Sequence, residues 1–338
     1  MRYLRLGGIA LALIVAAVSV RFAVAQDDES SRFVRFVERQ ISTPDRQIRL
    51  RGLEGALSSD VRIGEITIAD RGGVWLRIEN AQLVWSRLAL LRGRLSIESL
   101  RAEAIRIRRT PLSTQSDAPL DADAEGGFQL PELPVALRID ALNVEDVEIA
   151  EGVIGPAARL SVEGSARLDS GELDLALDIA RLDQPGRLDL DAAYSQSDET
   201  LAVDVVLTEP PGGVVANGLQ MEGRPAIRFE IKGDGQLSNF TANLDFAADD
   251  TALLNGTLGL TQPDEGLRVV ADLNGNLEPL VATLYDPLVA GGTALKLDMT
   301  RAATGAIEIT QGAFRSGAAS LNVSASLAPD GVPTALSL

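Results

Sequence analysis

The 338-residue chain has no cysteine and no histidine. These two absences exclude disulfides, thiol nucleophiles, Cys/His zinc sites and every mechanism that uses an imidazole base. Acid–base work by paired carboxylates and hard-cation binding by oxygen ligands stay open. The lack of cysteine assigns no compartment, because a cysteine-free chain folds in either redox environment. Aromatic residues are also scarce, at 4% against 46% hydrophobic residues in all. The apolar content is therefore Leu, Val, Ile and Ala, and any core or lining is aliphatic with little ring stacking. Basic residues are scarce after the first third. Residues 1–110 hold 19 Arg and 12 acids, a net +7, whereas residues 111–338 carry −24. An acidic body repels phosphates and makes a poor nucleic-acid binder. The basic first part suits an anionic membrane surface.

The N-terminus carries Arg2 and Arg5, an apolar run from Leu6 to Val20, and Ala23-Val24-Ala25 before Gln26. This is the pattern of a signal peptide or membrane anchor over residues 1–25, and either form exports the rest of the chain. In residues 26–46, Phe33, Phe36, Val37, Gln40 and Ile41 fall at near-helical spacing before Pro44. They predict an amphipathic helix that either lies on the membrane surface or, on the favoured reading, plugs the open end of the following sheet.

From Gln47 the period becomes two. In the stretch from Gly171 to Tyr194, Leu173, Leu175, Leu177 and Ile179 alternate with acids and alanines. The beat resumes after Gln184-Pro185-Gly186 with Leu188 and Leu190. Such alternation predicts strands with one apolar and one acidic face. It recurs at Leu201, Val203 and Val205, at Ile227, Phe229 and Ile231, and at Leu295 and Leu297. Short turns between the runs predict antiparallel neighbours. So long an antiparallel sheet curls, closes or splits. The expected fold is mostly β, an elongated, curled antiparallel sheet forming a groove, with the N-terminal helix attached. Residues 112–134 are rich in Pro, Asp, Ser and Gly and read as an acidic loop between a β segment at 47–111 and a longer one at 135–338. Leu277, Leu280, Leu284 and Leu288 interrupt the beat at helical spacing.

Few residues suggest chemistry. Asp121, Asp123, Glu125, Gly126, Phe128 and Glu132 imitate a calcium loop, but Pro131 falls where an exit helix would begin and no flanking helix is indicated. Asp174 with Asp178, and Asp189 with Asp191, sit on the polar faces of strands, where a solvated surface explains them better than a glycosidase pair. Trp75 and Trp85 read as packing residues. An outer-membrane barrel lacks its aromatic girdles here. No metal site, cofactor or catalytic residue is expected, and the chain does not read as an enzyme.

Residues 47–111 carry a more specific pattern. It runs through Gly52, Leu53 and Gly55, then Asp70, Gly73 and Trp75, then Trp85 and Gly93, and closes on Arg109 and Pro111. This resembles the N-terminal region of the TamB family (translocation and assembly module), within the AsmA-like group. The resemblance covers residues 47–111, and the remainder matches in style only. It implies a periplasmic protein held at the inner membrane, with a taco-like β-sheet around an aliphatic groove. It also implies phospholipid movement to the outer membrane and barrel assembly with an outer-membrane partner of TamA type. Family members are usually far longer, so the 135–338 segment is expected to be truncated at its C-terminal end. The expected function is inner-to-outer membrane lipid transport and outer-membrane biogenesis. Its lipid-lining candidates are Leu173, Leu175, Leu177, Ile179, Leu188, Leu190, Leu201, Val203, Val205, Ile227, Phe229, Ile231, Leu295 and Leu297. The alternative is a structural or chaperone-like β protein that binds barrel strands by β-augmentation.

Overall fold

Each alternating run becomes a strand, and every strand joins one sheet. The computed structural model describes residues 38, 42–43, 46–55, 58–90, 92–112, 136–262, 266–280, 286–329 and 331–337. The leader, most of the predicted amphipathic helix and nearly all of the acidic loop lie outside the described residues. The first strands are β1 (Gln47–Glu54), β2 (Asp60–Asp70), β3 (Gly73–Ser86), β4 (Arg94–Ile107), β5 (Ala136–Ile149) and β6 (Ala158–Asp169). There follow β7 (Glu172–Arg181), β8 (Arg187–Ser195), β9 (Thr200–Glu209), β10 (Ile227–Gln236), β11 (Phe240–Ala248) and β12 (Thr251–Thr261). The last are β13 (Gly266–Gly275), β14 (Thr293–Ala302), β15 (Ile307–Ser316), β16 (Ser320–Leu327) and β17 (Pro333–Ser337). Short helices α1 (Arg87–Leu90), α2 (Val214–Gly218) and α3 (Asp286–Val289) sit in the connections.

The 17 strands pair in chain order, each with the next, and the sheet does not close on itself. All neighbours are antiparallel except β4 and β5, which run parallel. This corrects the expectation of antiparallel pairing throughout. Parallel neighbours need a crossover of a dozen or more residues, and the segment from 108 to 135 is the longest connection in the sheet; the shorter β9–β10 and β13–β14 connections, 210–226 and 276–292, return antiparallel. The longest strands are β3, β4 and β5, at 14 residues each.

Bulges keep the apolar residues on one side where the sequence parity changes. In β5, Leu137 and Ile139, then Leu142 and Val144, then Val147 and Ile149 pair with Leu95, Ile97, Leu100, Ala102, Ile105 and Ile107 of β4. Against β6, β5 carries one extra residue at each break, between Ile139 and Leu142 and between Val144 and Val147, so odd and even positions share one face. Two further bulges feed the core. Trp75 is the extra residue where the β2–β3 register shifts, and it is 2% exposed beside Ile48, Ile68 and Leu76. Leu253 is the extra residue between β11 and β12 and is 1% exposed. Trp85 packs against a second cluster of Leu95, Ile97 and Leu137. Both tryptophans are thus packing residues.

Of the motif residues of 47–111, Gly55, Gly73 and Gly93 sit at or beside turns, and Gly52 lies within β1. Gly52, Gly55, Gly73 and Gly93 all have positive φ. At Gly55 a β-carbon would stand 2.2 Å from the Asp60 carbonyl oxygen, so the β1–β2 connection admits no larger residue. Asp70, at the end of β2, is nearly buried and accepts hydrogen bonds from Arg109 Nη1 (2.8 Å), Leu112 N (2.8 Å) and Gly72 N (2.7 Å). Arg109 also donates to the Gly73 carbonyl at 2.7 Å. The guanidinium beside Asp70 holds its carboxyl well below the usual carboxylate range, assisted by the two backbone N–H groups. This clamp ties the end of β4 to the β2–β3 turn. The outer edge of β1 is covered as well: Leu50 N donates to Glu38 Oε1 (2.7 Å) and Ile48 N to Ser42 Oγ (3.0 Å).

Candidate functional site: the apolar face

Register decides which side chains share a face, because directly paired residues point the same way. One row crosses fifteen strands, β2 to β16. It runs Val61, Leu83, Leu100, Leu142, Gly164, Leu177, Leu190, Val205 and Ile231. It continues through Leu244, Gly256, Leu273, Leu295, Phe314 and Leu321. The row holds no polar side chain. At ~4.8 Å per strand it is about 65 Å long. Its members are half-buried, apart from the exposed Leu321, and none is fully buried. That is neither a packed core nor an ordinary polar surface.

A second row lies beside the first. From β6 to β16 it runs Ala166, Leu175, Ala192, Val203, Gly233, Ala242, Leu258, Ala271, Leu297, Gly312 and Val323. Small residues alternate with large ones, so the face is lower there.

All fourteen lining candidates fall on this one face. Ile227 differs from the rest in being fully buried, in a cluster with Ala216, Met221, Phe246, Ala248 and Leu253. It packs under the α2 loop and is no open lining. That loop is fastened by Glu209, whose carboxylate accepts from Val214 N (3.1 Å) and Val215 N (2.8 Å). Of the helix expected around Leu277–Leu288, the described residues show a 3-10 turn at Glu278–Leu280 and the short α3, and Leu284 lies outside them. Leu280 packs on the cluster, but Leu288 is exposed and Val289 is the buried residue. The candidates also omitted Leu83, Leu100, Leu142, Leu244, Leu258, Leu273 and Phe314. The same alternation marks the last four. Parity shifts at the bulges hid the first three.

The opposite face is acidic and exposed. Register sets like charges directly across from one another: Glu163 by Asp178, Asp178 by Asp189, and Asp191 by Asp204. Cations on the next position relieve them. Arg187 donates to Asp189 Oδ1 at 2.7 Å and also to Asp178, and these carboxylates raise the Arg187 pKa, the hydrogen bond accepted by Asp189 most. Lys232 bonds Asp204 and Lys296 bonds Asp272, at 2.5 and 2.6 Å. Arg268 pairs with Asp298 and lowers its pKa. A shallow depression of about 360 Å³ on this face is floored by Ala176, Ala193 and Ala202 and rimmed by Asp174, Asp191, Asp204, Asp234 and Lys232. Asp174 and Asp178 of the same strand diverge: the first lines the depression and the second pairs with Arg187. Among the described residues, no group of three or more acids is placed to hold a metal ion. Among them, too, no helix is long and apolar enough to cross a membrane.

Protein-family models, curated proteins and solved structures were all compared with this chain, and none matches.

Proposed function

We propose that this protein moves phospholipid from the inner to the outer membrane along the apolar face of its sheet, and so serves outer-membrane biogenesis. The observation that carries the reading is the unbroken, half-exposed aliphatic row across fifteen strands. An acyl chain laid on it exchanges water for hydrocarbon at roughly 0.8 kcal/mol per buried methylene. No residue on the row offers a polar trap, which suits a chain that must slide. On this reading the sheet curls around the row as an open, taco-like groove. Glycines on the apolar face support the curl. At Gly164, Gly233 and Gly256 a β-carbon would lie 2.5, 2.6 and 2.0 Å from the neighbouring strand. Such close approaches are where sheets bend sharply. The resemblance of residues 47–111 to the TamB family points the same way. It extends the proposal to attachment at the inner membrane, a periplasmic location and an outer-membrane barrel partner of TamA type. No reaction is required.

The test is lipid extraction from the purified full chain. At least one phospholipid per chain, displaced by added phospholipid, is the expected result. A lipid-free protein with a dry, shielded apolar face would overturn it.

One observation favours a second reading, in which the sheet edge pairs with strands of barrel proteins. Among the described residues, β17 pairs with β16 alone, is exposed at every position and carries no charge, unlike the covered and arginine-bearing β1. Uncharged open edges accept added strands. Capture of barrel-strand peptides by a chain that retains no lipid would select this reading.

A further inference from the structure

The connection between β3 and β4 combines features found nowhere else among the described residues. It is a tight turn: Ala89 N bonds Ser86 Oγ at 3.3 Å, and Arg92 N bonds the Ala89 carbonyl at 2.9 Å. Trp85, just before it, is turned inward against Leu95 and Ile97. That leaves Leu88 pointing out, 71% exposed, the most exposed large hydrophobic side chain of the described residues. Arg87, Arg92 and Arg94 surround it and are exposed. Neither Arg92 nor Arg94 has a carboxylate partner among the described residues, although most cations of the sheet are paired. Of the other strongly exposed leucines, Leu112 lies near Arg108 and Arg109 and Leu182 beside Arg181, but Arg109 and Arg181 are paired with Asp70 and Asp183. Leu219, Leu288, Leu321 and Leu336 have no arginine within four positions.

An exposed leucine is unfavourable in water, and unpaired arginines attract anions without orienting one. Together, on a turn that protrudes past the strand ends, they match the interface of an anionic bilayer. There the leucine enters the acyl boundary and the guanidinium groups meet the headgroups. We infer that the β3–β4 tip, Arg87–Arg94, docks on an anionic membrane surface. The charge distribution supports that partner and orientation: the tip belongs to the basic first third, and the body beyond it, at −24, is repelled by the same surface. The tip lies two strands from β1, the first strand after the expected anchor, at the opposite strand end: Gln47 pairs across β2 with the start of β3, and the tip follows the end of β3. Docking there orients the sheet with its low-numbered strands toward the bilayer. The inference rests on the proposed function only in placing the protein at a membrane.

The natural absence of cysteine makes the test direct. The full chain carrying Leu88→Cys is labelled with an environment-sensitive fluorophore and reconstituted in phosphatidylcholine vesicles, with or without phosphatidylglycerol. Leu336→Cys, exposed at the far edge, serves as the control. The expected result is a blue shift and shielding from a soluble quencher at position 88, only with phosphatidylglycerol. Replacing Arg92 and Arg94 by Ala lowers the docked-to-free ratio about 30-fold, at about fivefold per arginine. A label at 88 that stays open to quencher, or one shielded no more than at 336, overturns the inference. A third label, at Leu177→Cys, keeps the two proposals apart. Lipid shielding at 177 with an open tip removes the docking and leaves the apolar face, and the reverse result removes the face and leaves the docking.

Discussion

Neighbouring residues 176 and 177 lie on opposite faces of β7, so one substitution made at both positions separates the face from the fold. Leu177 sits in the long apolar row between Gly164 and Leu190, whereas Ala176 faces Ser165 and Asp191 on the acidic side. Leu177→Asp puts a carboxylate in the row. A chain lying along the row crosses one strand per ~4.8 Å, or about four methylenes, so the charge removes about 3 kcal/mol of acyl contact. That corresponds to a loss of about 150-fold in lipid retention. The fold is affected less. Leu177 is only half-buried, so the new carboxylate keeps its water and costs on the order of 1–2 kcal/mol. Ala176→Asp adds one more acid beside Asp191, costs less than about 1 kcal/mol and leaves lipid untouched. The assay is phospholipid per chain after purification of each full-length variant, with urea unfolding alongside. Equal lipid in both variants refutes the reasoning. So does unfolding of Leu177→Asp by 4 kcal/mol or more, the cost of an unpaired charge in a closed core.

Trp75→Ala empties the bulge site under Ile48, Ile68 and Leu76, and is expected to cost about 3–5 kcal/mol in urea unfolding. Asp70→Asn breaks the Arg109 clamp at a nearly buried position, with an expected loss of about 3 kcal/mol near neutral pH. The folded-state carboxyl of Asp70 lies below its unfolded value, so the clamp's contribution is fully present above about pH 4 and disappears as pH falls through the folded value. The stability gap between wild type and Asp70→Asn should therefore be constant from about pH 5 to 7 and narrow in acid. Gly55→Ala meets the Asp60 carbonyl at 2.2 Å with positive φ, whereas Gly152→Ala has positive φ in open space. The first is expected to cost more than about 2 kcal/mol and the second about 1, by thermal melts of the two variants.

Alternation carried most of the fold in the sequence. Runs such as Leu173–Ile179 and Leu188–Leu190 state both the strand and the face, and register only had to align them. Bulges and the single parallel pair were harder to read. Trp75 and Leu76 are adjacent apolar residues with no visible reason to share a side until the β2–β3 register slips. The parity changes between Ile139 and Leu142 and between Val144 and Val147 look like lost rhythm, yet they match equal breaks in β4. That match lies between strands separated by a long connection, which a local pattern cannot report. The antiparallel rule failed at β4–β5 for the same reason, and the length of residues 108–135 was the available signal. Asp70 and Arg109 were visible as motif residues, but their contact spans 39 positions and belongs to the fold. For the candidate site, direction was legible and depth was not. Ile227 alternates like Phe229 and Ile231, yet the α2 loop covers it alone.

Adjacent positions of β8 test most directly whether lipid lies on the apolar row. Leu190 is on the row and Asp191 faces Asp204 on the acidic side. A photo-crosslinking amino acid is placed at each position in turn in the full chain within native membranes. Phospholipid adducts at 190 and none at 191 are the expected result, repeated at Val205 against Asp204 and at Leu295 against Lys296. Adducts absent from 190, or equal at 190 and 191, would contradict it.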